Sequence, residues 1–150
     1  MKKRLLLCSL FSVFLAGLLS VQGISHSGTD NEIVKARMAS MKVIAANMKS
    51  LSKISRGRDP FDLTEVKDML AKIESSAAET PILFEVNATD STSEAASEIW
   101  ENFQDFKDKA FALESTAKAL ISTVASADDV AVAVQSLGSK CKSCHSKYRN

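Results

Sequence analysis

The stretch Cys141-Lys142-Ser143-Cys144-His145 constrains this chain more than any other. Two thiols three residues apart can each add an S–H across one vinyl group of a haem, and the histidine after the second thiol then lies under the iron as an axial ligand. The flanks read as helix, and on a helix positions i, i+3 and i+4 fall within an arc of about 100°. Both sulfurs and the imidazole therefore share one side, and the fold must offer that side an apolar cleft. Two plainer readings of the thiols compete. A zinc site needs two further ligands at matching spacing, but the other cysteine and histidine are Cys8 and His26, near the start of the chain. A thioredoxin-like dithiol belongs beside a βαβ pattern, and none is present. The motif is read as the attachment site of one covalent haem c, through Cys141 and Cys144, with His145 on the iron.

The rest of the chain must supply the cleft from 150 residues, enough for one domain with one core. An apolar fraction of 45% with five glycines and two prolines suits a compact helical protein. The net charge is +1, yet Lys2, Lys3 and Arg4 are the only charges in residues 1–23. Without them 16 basic residues face 18 acidic ones, a charge near −2. No basic stripe supports nucleic-acid binding.

Residues 1–23 run from those three basic residues through an apolar stretch, Leu5 to Leu19, to Val21-Gln22-Gly23. That is the order of a secretory signal peptide, and the apolar run is short for a membrane span. Cleavage is expected after Gly23, with an uncleaved anchor as the alternative and no stable membrane insertion once the segment is removed. Cys8 sits inside the run with no small-residue motif before it, so it reads as filler and not as a lipidation site. Residues 24–30, polar and glycine-bearing, read as a flexible leader carrying a solvated His26. Residues 31–150 are left for the folded domain.

Four helices are expected there. From about Asn31 to Ser55, Val34, Met38, Met41, Ala45, Met48 and Leu51 recur at steps of three and four, and Gly57 and Pro60 stop the helix. The second, about Phe61 to Glu79, presents Leu63, Val66, Leu70, Ile73 and Ala77 and breaks at Thr80-Pro81. Ser91-Thr92-Ser93-Glu94 matches a capping box and is expected to open the longest helix, with Ile99, Phe103, Phe106, Ala110, Leu113, Ala117, Leu120 and Val124 on a regular heptad stripe. Ser126, with Asp128 and Asp129 in the first turn, starts the fourth, whose inner face is Val130, Val134, Leu137, Cys141, Cys144 and Tyr148. The thiols thus take positions that leucines fill elsewhere. The fold class is all-α, an antiparallel up-down-up-down four-helix bundle with the haem inside it near one end.

A helical bundle with its haem motif in the last helix resembles the cytochrome c prime family, the class II c-type cytochromes. Cys141-Lys142-Ser143-Cys144-His145-Ser146-Lys147-Tyr148-Arg149 is similar to that family's CxxCHxxYR ending. Arg37-Met38-Ala39-Ser40-Met41 resembles its first-helix arginine with the distal residue four places on. Arg58-Asp59-Pro60-Phe61-Asp62 is similar to its aromatic-Asp opening of the second helix, and Glu98-Ile99-Trp100 to its Ile-Trp in the third. The CxxCH spacing is specific for haem, whereas the other matches gain weight from their order.

The resemblance makes position 41 the one that decides function. Five-coordinate members of the family have a bulky non-ligand residue there and take small gases, while in low-spin members a methionine there binds the iron. It therefore implies His145 and Met41 as the two axial ligands. From periodicity alone Met41 reads sooner as core filler in a stripe with Met38 and Met48, which are also the rival ligands. Arg37 is implied as a partner of a haem propionate, and Arg149 as an arginine tuning the proximal histidine. Trp100 and Phe103 are assigned to the core.

Histidine-methionine ligation saturates the iron and suits outer-sphere electron transfer, so the chain reads as a periplasmic monohaem electron carrier working between redox partner proteins. The rival reading is a five-coordinate binder of nitric oxide or carbon monoxide. No acid or base outside the haem motif suggests an enzyme. A homodimer is compatible with the outer face of such a bundle.

Overall fold

The computed structural model describes residues 28–150. The expected signal segment, with Cys8, and the leader up to residue 27, with His26, lie outside the described residues. Five helices follow one another: α1 (Glu32–Ile54), α2 (Leu63–Leu83), α3 (Glu98–Glu101), α4 (Phe103–Thr123) and α5 (Ala127–Tyr148). The four long ones close a ring in which α1 packs on α2, α2 on α4, α4 on α5 and α5 on α1. This is the expected all-α four-helix bundle, with α3 a single turn leading into α4. No helix among the described residues is long and apolar enough to cross a membrane.

Side-chain chemistry at the ends sets where each helix runs. The Asn31 carboxamide accepts from the backbone N–H groups of Ile33 (3.0 Å) and Val34 (3.3 Å), two donors that a helix start leaves without partners. Gly57, at φ +65°, ends α1 in a Schellman arrangement, with the Gly57 N–H on the Ile54 carbonyl and the Arg58 N–H on that of Lys53, both 2.9 Å. Asp62 caps α2 through the Glu65 N–H at 3.0 Å. Ser126 and Asp129 cap each other's backbone at the start of α5, a complete capping box.

Two helix boundaries depart from the sequence expectation. α2 does not break at Thr80-Pro81 but runs on to Leu83 with Pro81 inside it. A proline there costs one helical hydrogen bond. Continuing buries Thr80 and Phe84, and the Thr80 hydroxyl donates to the Ser76 carbonyl at 2.8 Å. Ser91-Glu94 opens no helix. Its polar groups are spent locally: the Asp90 carboxylate accepts from the Thr92 N–H (2.8 Å) and hydroxyl (2.7 Å), and Ser93 Oγ accepts from the Ala95 N–H. Helix begins at Glu98, breaks at Asn102 (φ −126°, ψ 42°) and resumes at Phe103, so the expected longest helix is two pieces.

Two clusters fill the interior. The larger is aliphatic: Ile44, Leu51, Ile54, Val66, Leu70, Ile73, Ala117, Val124, Val130 and Leu137, with Met41 and Met48 packed against it. The smaller is aromatic: Phe84, Ile99, Phe106 and Tyr148, with Trp100, Phe103 and Cys144 against it. On α1 the inner face is turned slightly from the expected stripe, since Ile44 is core while Ala45 is exposed and Met38 half-buried. Leu63, expected inside, stands at the first turn of α2 and is exposed. The segment before α1 is tied down at its end, with Thr29 buried and its hydroxyl donating to the Asp90 carboxylate.

Candidate haem-attachment site

The last two turns of α5 carry the site. Cys141 and Cys144 are free thiols, both half-buried, and His145 beside them is exposed. Burial pushes both thiol pKa values up. The protein around the imidazole, and secondarily the charge of Arg149, lower the pKa of His145, opposed by Glu94. A neutral imidazole keeps a nitrogen lone pair for a metal.

Two sets of contacts hold this end of α5. On one side Tyr148, buried, sets its ring edge-on to Phe106, with centroids 5.4 Å apart and planes at 88°. Its hydroxyl donates to Asp105 Oδ2 at 2.5 Å, and Lys147 pairs with the same carboxylate at 3.0 Å. The Tyr148 hydrogen bond, then that of Lys147, holds the Asp105 pKa below its ordinary value. On the other side the chain end pairs with the loop before α3. The Ala96 N–H donates to the Tyr148 carbonyl (3.1 Å), the Asn150 N–H to the Glu94 carbonyl (2.9 Å), and Arg149 forks onto Glu94 Oε2 at 2.5 and 2.7 Å. Ala95 and Arg149 form an isolated antiparallel bridge. Glu94, read in the sequence as a helix cap, thus partners the arginine after the haem motif.

Arg37 has an environment the sequence does not announce. It is 3% exposed, and its guanidinium donates to three carbonyls at and just beyond the end of α2: Nε to Leu83 (2.8 Å), Nη1 to Ala88 (2.6 Å) and Nη2 to Val86. Its carbon lies 4.3 Å from the Phe84 ring centroid and 5.4 Å from that of Trp100, whose indole N–H donates to the Phe84 carbonyl at 2.9 Å. Burial lowers its pKa, but a guanidinium stays charged. Three of its five N–H groups therefore serve that segment.

Met41 follows Arg37 by one turn, half-buried against the aliphatic cluster. Leu137, one turn before Cys141 on the neighbouring α5, belongs to the same cluster. Met48 packs there too, and Met38 is half-buried at the edge. The structure thus gathers Cys144 into the aromatic cluster and Met41 into the aliphatic one, on helices that touch.

These residues fit a haem. Two free thiols and an imidazole share one helix end, and no group of three or more His, Cys, Asp or Glu side chains among the described residues could hold a bare metal ion. Gly138 is two turns before His145 and so on its face. A Cβ there would meet nothing within 4 Å, so that face of α5 is open at this level.

The family model described as Cytochrome C' matches residues 32–149. Cytochrome c-556 of Agrobacterium fabrum is 39% identical over 117 residues, spanning 77% of this chain and 80% of the relative. Cytochrome c' of Pararhodospirillum photometricum is 31% identical over 121 residues, 77% of this chain and 94% of its own. Among solved structures, cytochrome c' from Rhodopseudomonas palustris superposes with a TM-score of 0.75 at 26% identity, over 80% of this chain and 97% of that one.

Proposed function

The chain belongs to the cytochrome c' family, and from that membership we propose that it is a periplasmic one-electron carrier with a single haem c, its iron held low-spin between His145 and Met41. Bound at this site, the haem supplies an iron centre that takes up and gives back one electron. The chain's own residues do the rest. Cys141 and Cys144 hold the group through thioethers, and His145 offers a neutral imidazole nitrogen. Met41 offers a thioether sulfur, a soft ligand that raises the potential of a haem iron.

The observation that carries this reading is a methionine at position 41, one turn after Arg37, in the cluster that also takes Leu137 of α5. Two permanent ligands leave the iron's surroundings nearly unchanged between oxidation states, which favours outer-sphere transfer. Arg149, forked onto Glu94, lies one turn after His145, and its charge adds to the effect of burial in lowering the pKa of the imidazole. Arg37 has two N–H groups beyond those on the Leu83–Ala88 segment, and these are what it can offer a propionate. The partners are redox proteins of the periplasm, reached after cleavage behind Gly23.

The absorption spectrum of the purified holoprotein tests the proposal. Resolved low-spin bands that carbon monoxide does not alter are expected, and Met41→Leu should turn them high-spin, lower the potential and admit carbon monoxide. An unmutated protein that is already high-spin and binds carbon monoxide would refute the carrier reading and install gas binding in its place.

A further inference from the structure

α1 carries three methionines at helical spacing, Met38, Met41 and Met48, so an apolar pattern alone does not decide which faces α5. Consider α1 moved three residues along its axis, about 4.5 Å with a turn of about 60°. The places held by Arg37, Met41, Ile44, Met48, Leu51 and Ile54 would pass to Val34, Met38, Met41, Ala45, Met48 and Leu51. Each of these newcomers is apolar, whereas the buried place of Val34 would pass to the polar Asn31. Methionine is the most adaptable of core side chains and packs in either register. The Asn31 cap and the Gly57 turn are built within the helix and would move with it, while the Thr29–Asp90 hydrogen bond ahead of α1 would have to break.

One side chain cannot follow. Arg37 is a buried cation with no carboxylate partner among its contacts, satisfied by the carbonyls of Leu83, Val86 and Ala88 and by the faces of Phe84 and Trp100. Three residues on it would occupy the place of Ser40, which faces the Ser76 carbonyl of α2. There a guanidinium would lose its carbonyl cage, and a buried charge without partners is expensive. A single buried polar group fixing the register of otherwise interchangeable apolar helices is the best-attested use of such groups.

We propose that Arg37 is the register pin of α1, a positioning residue whose anchorage on the Leu83–Ala88 segment selects Met41 over Met38 as the side chain presented to the haem face. The selection of a ligand rests on the reading of Met41 above, whereas the pinning of α1 stands without it. Arg37 therefore acts on the iron through α1, in addition to whatever contact its remaining N–H groups make.

The test uses holoprotein carrying Arg37→Met, an unbranched apolar replacement that removes the pin and keeps the length. In reduced, isotope-labelled protein the amide signals of α1 should double or broaden in Arg37→Met, while the parent gives one set. In parallel, Met41→Leu should lose the low-spin bands, Arg37→Met with Met41→Leu should recover part of them through Met38, and adding Met38→Leu should remove them again. If Arg37→Met fails to fold, Arg37→Lys, with one nitrogen to span three carbonyls, serves for the amide comparison. A single, parent-like set of α1 signals overturns the pin whatever the spectra show. Parent-like bands in Met41→Leu alone overturn the ligand assignment and leave the pin to the amide result.

Discussion

Phe106 is the side chain whose replacement the structure predicts most sharply. It is 3% exposed and stands at the centre of the aromatic cluster, 5.0 Å from the Phe84 ring, 6.0 Å from Phe103 and 5.4 Å from Tyr148. Phe106→Leu keeps an apolar residue but ends all three ring contacts, each worth about 0.5–1.5 kcal/mol beyond area. Full truncation of a buried phenylalanine costs about 3–5 kcal/mol, which sets the ceiling. A loss of about 2–3 kcal/mol is expected, read as a fall of about 1–1.5 M in the urea midpoint at an unchanged slope of about 2 kcal/mol per molar. Phe111 on the same helix is 63% exposed, so Phe111→Leu should stay within about 0.5 kcal/mol. Because Cys144 packs against the same cluster, Phe106→Leu should also broaden the haem absorption bands. Equal midpoints for the two variants would refute the account of what holds the haem end of the bundle.

Replacing Cys141 and Cys144 with serine should leave a protein whose haem is fully extracted by acid acetone, and haem retained in the pellet would defeat the covalent assignment. The Asp105 carboxylate has a folded pKa below its unfolded value of about 3.9, set first by Tyr148, so its contribution is present above that value and is lost as pH falls through the folded pKa. Tyr148→Phe should therefore lower the urea midpoint more at pH 6 than at pH 3, and a constant difference would contradict the hydrogen bond. Mass spectrometry of exported protein should give residues 24–150 plus one haem, and a mass that includes residues 1–23 would mean an anchor.

What could be read from the residues was whatever local chemistry decides alone. Asp62, Gly57 and the Ser126-Asp129 pair act within a turn of themselves, and they lie where the helices start and stop. The heptad stripe from Phe106 to Val124 is buried or packed against the core throughout. Apart from Leu63, exposed at the first turn of α2, the misreadings sit where distant groups intervene. Ser91-Glu94 has the letters of a capping box, but Glu94 is taken by Arg149 from the other end of the domain and Asp90 by Thr29. Pro81 is carried inside α2 by the burial of Thr80 and Phe84, which no dipeptide rule contains. Ile44 takes the core place expected for Ala45 on a helix whose buried Arg37 finds its partners far along the chain, at Leu83, Val86 and Ala88. The spacing of Cys141, Cys144 and His145 was legible as chemistry, while Gly138, which leaves room along the same face, carries no signal in the letters around it.

The two clusters divide the work around the proposed haem unequally. The side holding Cys144 is built of rings whose mutual angles and distances are specific, and it is tied on its rim by the Tyr148–Asp105 bond and the Arg149–Glu94 fork. The side holding Met41 is aliphatic and rich in flexible thioethers, a packing that adapts to changes of shape at little cost. A volume-conserving change should therefore be felt differently on the two sides. Met41→Leu should cost under about 1.5 kcal/mol, because the half-buried side chain can be repacked, yet change the iron outright. Phe106→Leu should cost more stability and leave the ligands in place. On the proposed ligation, the covalent side would be the rigid one and the distal side would rest on α1, so that the Met41→Leu spectrum, and not the stability of that variant, is what separates electron transfer from gas binding.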